Sequence, residues 1–114
     1  MNNIVRMLQR YKIRTDNEFE VQQQVEQIFK SNGVDYKREF RLSPKDRIDF
    51  LVDSIGIEIK VHGWSAKKIY DQIERYSKYD LIRLIVLLTS QACHFPNKIN
   101  EKQIVIINLG RSWL

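Results

Sequence analysis

Residues 47–60 read RIDFLVDSIGIEIK. Two runs rich in β-branched residues, 47–52 and 56–61, are joined by Asp53-Ser54-Ile55, and this pattern predicts a β-hairpin. Just before the hairpin, residues 36–42 alternate bulky apolar with charged side chains, as a half-buried strand does. The sequence therefore predicts three consecutive strands in the middle of the chain.

The segments on either side of these strands complete an α/β pattern. After the hairpin, a helix and then a nearly all-apolar strand form a βαβ crossover, so their two strands should be parallel and the connection right-handed. A polar loop with Pro96 follows. We expect an α/β fold of the order α-α-β-β-β-α-β-β, a mixed sheet with flanking helices. The predicted helices are 2–12, about 15–31 and 66–79, and the predicted strands are 36–42, 47–52, 56–61, 81–89 and 103–109.

Composition limits the class of protein. The 114 residues are 43% hydrophobic and 29% charged, which fits one globular domain spanning 1–114. The longest apolar run, 84–88, is too short to span a bilayer, and Cys93 alone makes no disulfide framework. We therefore expect a soluble, cytoplasmic protein with no membrane partner. Its net charge of +5 favours polyanionic partners.

The hairpin also carries the most informative polar residues. Side chains alternate along a strand, so Glu58 and Lys60 share a face opposite their aliphatic neighbours. A turn near Ser54 places Asp49 on the neighbouring strand roughly opposite Glu58. The sequence thus predicts two carboxylates and one ammonium on a single patch of sheet.

This set of groups suits phosphodiester hydrolysis. Paired carboxylates are ligands for Mg²⁺, a hard cation that prefers oxygen, and such a metal polarises a phosphoryl oxygen and lowers the pKa of a bound water. A nearby lysine can position the attacking water or stabilise charge on the phosphate. The structural alternative is an exposed strand face with opposite charges that merely pair, each pair contributing about 0–1 kcal/mol.

The spacing of these residues resembles a known signature. Asp49, eight residues, and then Glu58-Ile59-Lys60 are similar to the D…(E)xK motif of the PD-(D/E)XK nucleases, and the order helix, three strands, helix, strand resembles that superfamily's restriction-endonuclease-like core. The resemblance covers residues 16–89, and Ile48 stands where many members have proline. Small stand-alone members, the Holliday-junction resolvases and VRR-NUC domains, are the most similar. Asp46 lies in the preceding turn and is not counted as part of the motif.

The resemblance implies a function and a further ligand. The implied function is a metal-dependent deoxyribonuclease that uses Mg²⁺, for which Mn²⁺ can substitute, and no small-molecule cofactor. Members often add an acidic residue from the first core helix, and Glu18 lies on the apolar stripe of that helix while Glu20 lies opposite. Asp49, Glu58 and Glu18 are then the metal ligands. The alternative is that Thr15 and Glu18 form a capping box at the helix start.

The third helix contributes a second pair of candidates. Gln72 and Tyr76 match a QxxxY element that resembles one in nucleases similar to lambda exonuclease, and their spacing places both on one helical face. Gln72 is therefore a catalytic candidate and Tyr76 a DNA-contact candidate. The alternative is an ordinary core tyrosine with glutamine at the boundary of the core.

Basic residues surround the predicted site. They would contact phosphates and position DNA without reading its sequence, and the alternative is a solvated charged rim. His62, just past the catalytic strand, could contact a phosphate or assist proton transfer. The candidate DNA contacts are Arg38, Arg41, Lys45, Arg47, His62, Lys67 and Lys68, with Tyr76.

Three functions remain open at this point. The first is a DNA endonuclease, of the Holliday-junction type on branched DNA. The second is an exonuclease or nickase on the same core, and the third is a catalytically silent DNA-binding or assembly subunit; RNA is also open as a substrate. A small chain engaging a junction favours a homodimer, with the interface at helix 2–12 or at the last strand, which is followed by Trp113 and Leu114.

Overall fold

The computed structural model describes residues 3–15 and 17–109. Within these ranges the protein is a mixed α/β structure with one six-stranded sheet in the order β1-β2-β3-β4-β6-β5. This confirms the predicted class of a mixed sheet with flanking helices. The helices are α1 (Asn3–Arg10), α2 (Glu18–Ser31) and α3 (Ala66–Ser77), and the strands are β1 (Lys37–Arg41), β2 (Arg47–Val52), β3 (Ile55–Lys60), β4 (Leu84–Thr89), β5 (Lys98–Ile99) and β6 (Lys102–Asn108).

The sheet changes direction at its centre. Strands β1, β2 and β3 form an antiparallel meander, whereas β3 pairs with β4 and β4 with β6 in parallel. The predicted parallel crossover through α3 is therefore confirmed. One element was not predicted: residues 98–99, assigned to a loop, form the short strand β5 antiparallel to β6. A two-residue strand has no detectable period of its own, since its pairing is decided by its neighbour.

Helices cover both faces of the sheet. Apolar residues of α1 and α2 form one core cluster with the sheet, and those of α3 form the other. Strand β4 contributes Val86 and Leu88 to the first cluster but Ile85 and Leu87 to the second. This explains why its sequence is almost uniformly apolar, and it confirms that both faces of the strand are covered.

The start of α2 decides between the two roles considered for Glu18. The cap is Asn17, whose side chain accepts a hydrogen bond from the backbone N–H of Glu20 at 2.9 Å. The alternative that Thr15 and Glu18 form a capping box is wrong, because an asparagine two residues after Thr15 satisfies the helix terminus. Glu18 is thus the first helical residue, and its carboxylate is used elsewhere.

The predicted dimer contacts are only partly described. Trp113 and Leu114 lie outside the described residues. The apolar side chains Val5 and Leu8 of α1 are buried in the core, and β5 covers part of the outer edge of β6. None of the described helices has the length and apolar character needed to cross a membrane.

Candidate active site

Asp49 and Glu58 meet where the ladder between β2 and β3 opens. The last backbone pair is Phe50 with Ile57, so the next pair in register would be Asp49 with Glu58. There, the backbone N–H of Asp49 donates to Glu58 Oε1 at 3.2 Å, and that of Ile59 donates to Asp49 Oδ2 at 2.8 Å. Carboxylates accept these hydrogen bonds in place of backbone carbonyls. The predicted juxtaposition of the two acids is confirmed.

Asp49 lies where β2 and its neighbour β1 both depart from regular strand geometry. Ile48 packs in the cluster below α3 while Phe50 packs in the cluster below α2, although residues two apart in a regular strand share a face. Opposite this break, Glu39 of β1 has a positive φ of 51°, which is unusual for a non-glycine residue and costs about 1–2 kcal/mol. Sequence alternation did not reveal this break, which directs Asp49 between the two faces.

Glu58 and Lys60 form a buried ion pair. The Lys60 Nζ lies 2.8 Å from Glu58 Oε2. Lys60 is only 5% exposed and Glu58 only 2%. The alternative of an exposed strand face with loosely paired charges is therefore wrong. Burying two charges carries a desolvation cost of several kcal/mol per ion, so a fold that keeps this pair sacrifices stability at this position.

The pKa values of both acids are raised. Burial raises the pKa of Glu58 to about 8, and the negative charge of Asp49 acts in the same direction. Burial likewise raises the pKa of Asp49 to about 6, with smaller contributions from the charges of Glu18 and Glu39. Both acids therefore hold a proton more tightly than they would in water, and they titrate together as a pair. A cation placed between them would replace that proton.

Glu18 approaches the same site from the start of α2. Its Oε2 accepts hydrogen bonds from Trp64 Nε1 at 2.7 Å and from the backbone N–H of Val61 at 3.4 Å, so it lies just past the end of β3. Glu26, the third acidic residue of α2, bonds to Tyr36 and Arg38 instead. Of the acids in α2, Glu18 is thus the one that reaches the end of β3, and its charge contributes to the raised pKa of Asp49.

Trp64 is a site residue that sequence reasoning missed. Besides its bond to Glu18, its ring lies 4.2 Å from the Lys60 Nζ, measured to the ring centroid. From the sequence, His62 was named as a candidate contact in this connection, but Trp64 was given no role. The available signal was an aromatic residue four positions past Lys60 and directly before the Ser65 cap of α3.

Gln72 and Tyr76 face the site from α3. Gln72 Nε2 donates to the Tyr76 hydroxyl at 2.8 Å, and that hydroxyl donates to the backbone carbonyl of Arg47 at 2.9 Å. Burial raises the pKa of Tyr76, and so do the charges of Glu58 and Asp49. Tyr76 is 1% exposed, so its place is in the core and not on a DNA-contacting surface. Gln72 Oε1 is buried without a hydrogen-bond partner among the described residues.

Arg38 is half-buried and is held by side chains of α2. Its guanidinium donates to Gln23 Oε1 at 2.8 Å, to Glu26 Oε1 at 2.7 Å and to Gln22 Oε1 at 3.0 Å, and it lies over the Phe50 ring. In this arrangement Arg38 holds β1 to α2 and is not directed at a ligand. Its assignment as a DNA contact is corrected accordingly.

The other basic candidates lie on the surface. Arg47 approaches Glu39 at 3.5 Å, and Lys67 pairs with Asp71 at 2.9 Å along α3. Asp46, which the sequence assigned to a turn, is buried and accepts hydrogen bonds from side chains of α3 and the loop after it. The remaining exposed candidates are Arg41, Lys45, His62 and Lys68.

The donor set fits a hard divalent cation in chemistry but is not arranged as a closed metal cage. Among residues 3–15 and 17–109, no three acidic, histidine or cysteine side chains are grouped closely enough to hold a metal ion. The fit rests on two acids with raised pKa values, a third within electrostatic reach of Asp49, and the unpartnered oxygen of Gln72, which bonds through Nε2 to Tyr76. Oxygen donors of this kind suit Mg²⁺ or Mn²⁺.

Comparison with known proteins gives no assignment. No family model matches this chain, and neither a curated protein nor a solved structure matches it. The function is therefore inferred from the geometry of the site.

Proposed function

We propose that this chain is a divalent-cation-dependent DNA endonuclease with the restriction-endonuclease-like core of the PD-(D/E)XK superfamily, acting on branched DNA as a homodimer. The observation that carries this proposal is the buried Glu58–Lys60 pair beside Asp49 and Glu18. Ionisable groups are costly to bury, and buried ionisable groups with shifted pKa values are concentrated at functional sites.

Each residue has a distinct task in the proposed reaction. Asp49, Glu58 and Glu18 supply the carboxylate oxygens that would hold Mg²⁺, or Mn²⁺ in its place. When bound, the cation would act as a Lewis acid on the phosphoryl oxygen and would lower the pKa of a bound water. The Lys60 ammonium, fixed against Glu58 at 2.8 Å, stabilises negative charge on the attacked phosphate and orients the attacking water.

Gln72 and the surface cations would complete the site. The free Gln72 Oε1 can accept a hydrogen bond from the attacking water and so fix its direction. Arg41, Lys45 and Lys68 are exposed, and as flexible cations they suit phosphate contacts that position DNA without reading sequence. His62 is exposed directly after β3, where a phosphate contact is geometrically feasible.

An exonuclease on the same core is the second candidate. The specific observation in its favour is that Gln72 and Tyr76 do lie together on the site-facing side of α3, as in the QxxxY element that the sequence resembles. The two candidates share the chemistry and differ in the product, which is an internal cut for one and released nucleotides for the other.

The test is cleavage of end-labelled linear duplex, single strand, flap and four-way junction with Mg²⁺. Wild type is compared with Glu58→Gln, Lys60→Met and Glu18→Gln, and Glu20→Gln is the matched control because it removes a carboxylate from the exposed side of α2. We expect internal cuts, best on branched DNA, with losses of about 100-fold or more in the three site variants and none in the control. Released mononucleotides would select the exonuclease. If the wild type binds DNA but does not cut it with Mg²⁺ or Mn²⁺, both nuclease functions are excluded and the catalytically silent DNA-binding subunit is the function that fits.

A further inference from the structure

We propose that Trp64 is a positioning residue that holds the Glu18 carboxylate and the Lys60 ammonium in a fixed relation across the active site. The inference rests on the proposed function and deepens it, because it adds a residue that positions two groups of the proposed site. The sequence assigned neither of the two contacts that Trp64 makes. One side chain reaches both groups: the edge of its indole bonds to Glu18, and its face covers Lys60.

The edge contact orients Glu18. Trp64 Nε1 donates to Oε2 at 2.7 Å, and the Val61 N–H donates to the same oxygen. Both hydrogen bonds that Glu18 accepts from residues 3–15 and 17–109 therefore end on one oxygen, which leaves Oε1 for a cation. Partners of this kind fix a ligand's direction, and losing one typically weakens metal binding 10–100-fold.

The face contact holds Lys60. A cation 4.2 Å from a tryptophan ring centroid is within the range of a favourable cation–π interaction, and tryptophan is the best ring for it. The same ammonium bonds to Glu58 Oε2 at 2.8 Å, so the ring and the carboxylate together fix its position. Without the ring, the flexible lysine stem would sample other rotamers.

The backbone fixes the indole on both sides. Ser65, the next residue, is the N-cap of α3 and accepts a hydrogen bond from the Lys68 N–H at 3.1 Å. Gly63, the residue before, has a φ of +80°, a conformation that glycine adopts without strain. The Trp64 N–H itself donates to Gln91 Oε1 at 3.4 Å. The ring is therefore placed by the strand-to-helix connection and not only by its two partners.

Two substitutions separate the edge from the face. Trp64→Phe keeps an aromatic face over Lys60 and removes the N–H donor, whereas Trp64→Leu removes both. Both substitutions are made in a parent protein that carries Trp113→Phe, so that Trp64 is the single tryptophan of the parent. Three quantities are measured: Mn²⁺ affinity by calorimetry, kcat and KM on the preferred DNA, and the thermal midpoint.

We expect Trp64→Phe to weaken Mn²⁺ binding about 10-fold or more with a similar kcat at saturating metal. Trp64→Leu should weaken Mn²⁺ binding equally and also lower kcat by about 10-fold, because Lys60 is released. In the parent, Mg²⁺ should change Trp64 fluorescence in a saturable way, and Glu18→Gln should abolish that change while Glu20→Gln does not. A merely structural tryptophan would move the thermal midpoint and leave metal affinity and kcat untouched.

The outcomes separate this inference from the proposed function. If the parent binds Mn²⁺ and cuts DNA while Trp64→Phe and Trp64→Leu match it in metal affinity and kcat, the positioning role is overturned and the nuclease stands. If the parent neither binds Mn²⁺ nor cuts, the proposed function fails and takes this inference with it.

Discussion

Raising the pH of the cation-free protein from about 5 to about 8 should weaken the fold, because Glu58 has to lose its proton inside the structure. Burial and the neighbouring Asp49 raise the pKa of Glu58 from 4.5 to about 8. In the unfolded chain the same group titrates near its ordinary value. Between these two values the folded state binds the proton and the unfolded state does not, so stability falls as pH rises and levels off above about 8.

The size of the effect follows from the same shift. One pKa unit corresponds to about 1.4 kcal/mol, so a change from 4.5 to about 8 sets an upper limit of about 5 kcal/mol. Most of it falls between pH 5 and 8. In a domain of this size, each kcal/mol moves the thermal midpoint by about 4–8 °C, so even a fraction of the limit is easily measured.

The assay is chemical unfolding in urea at half-unit pH steps, with a chelator present. Glu58→Gln mimics the protonated acid and should remove the pH dependence above about pH 6, leaving only the smaller part from Asp49, whose pKa burial raises to about 6. Glu20→Gln should keep the wild-type slope. Adding Mg²⁺ at pH 8 should recover stability in wild type but not in Glu58→Gln, since a cation stabilises the state that binds it. A wild-type slope equal to that of Glu58→Gln across this window would refute the buried, proton-holding acid.

Three further changes test other parts of the structure. Gly56→Ala should destabilise by about 1–3 kcal/mol, because the new Cβ would lie 2.5 Å from the Ile48 Cδ1; unaltered urea unfolding would contradict the packing. Tyr76→Phe should lose about 1–2 kcal/mol of stability, since the backbone carbonyl of Arg47 loses its donor, and calorimetry that shows no change would refute this bond. Arg38→Ala should lower the thermal midpoint while DNA affinity at fixed salt stays the same; the reverse pattern would make Arg38 a DNA contact.

Local patterns in the sequence were sufficient for most of the fold. Alternation located β1, runs of β-branched residues located the β2–β3 hairpin, and uniform apolarity located β4 as a strand covered on both faces. Helical spacing located α2 and α3 to within a few residues. The features that escaped are those with no period of their own, such as the two-residue β5, whose pairing partner lies in β6.

The candidate site was predictable only where its residues share a hairpin. Alternation along β3 places Glu58 beside Lys60, and the hairpin turn brings Asp49 opposite Glu58. Glu18 was selected because it lies on the apolar face of its helix. Only the structure could exclude its alternative role in a capping box, because it places Asn17 at the cap.

Contacts between distant segments were beyond the sequence. Trp64 meets Glu18 across 46 positions of chain, and no local pattern encodes such a contact. Arg38 looked like a surface cation, but its partners are amides and an acid of α2. Side-chain hydrogen bonds between elements decide these roles, and they depend on the finished packing.

The most direct measurement is nicking of covalently closed circular DNA, which has no ends for an exonuclease to attack. Wild type and Glu58→Gln are purified side by side and assayed with Mg²⁺, with excess chelator, and with Mg²⁺ restored. We predict that wild type cuts only when Mg²⁺ is present, and that Glu58→Gln binds the same DNA without cutting it. Equal cutting by the two proteins, or no cutting by either, would contradict a catalytic role for the buried Glu58–Lys60 pair.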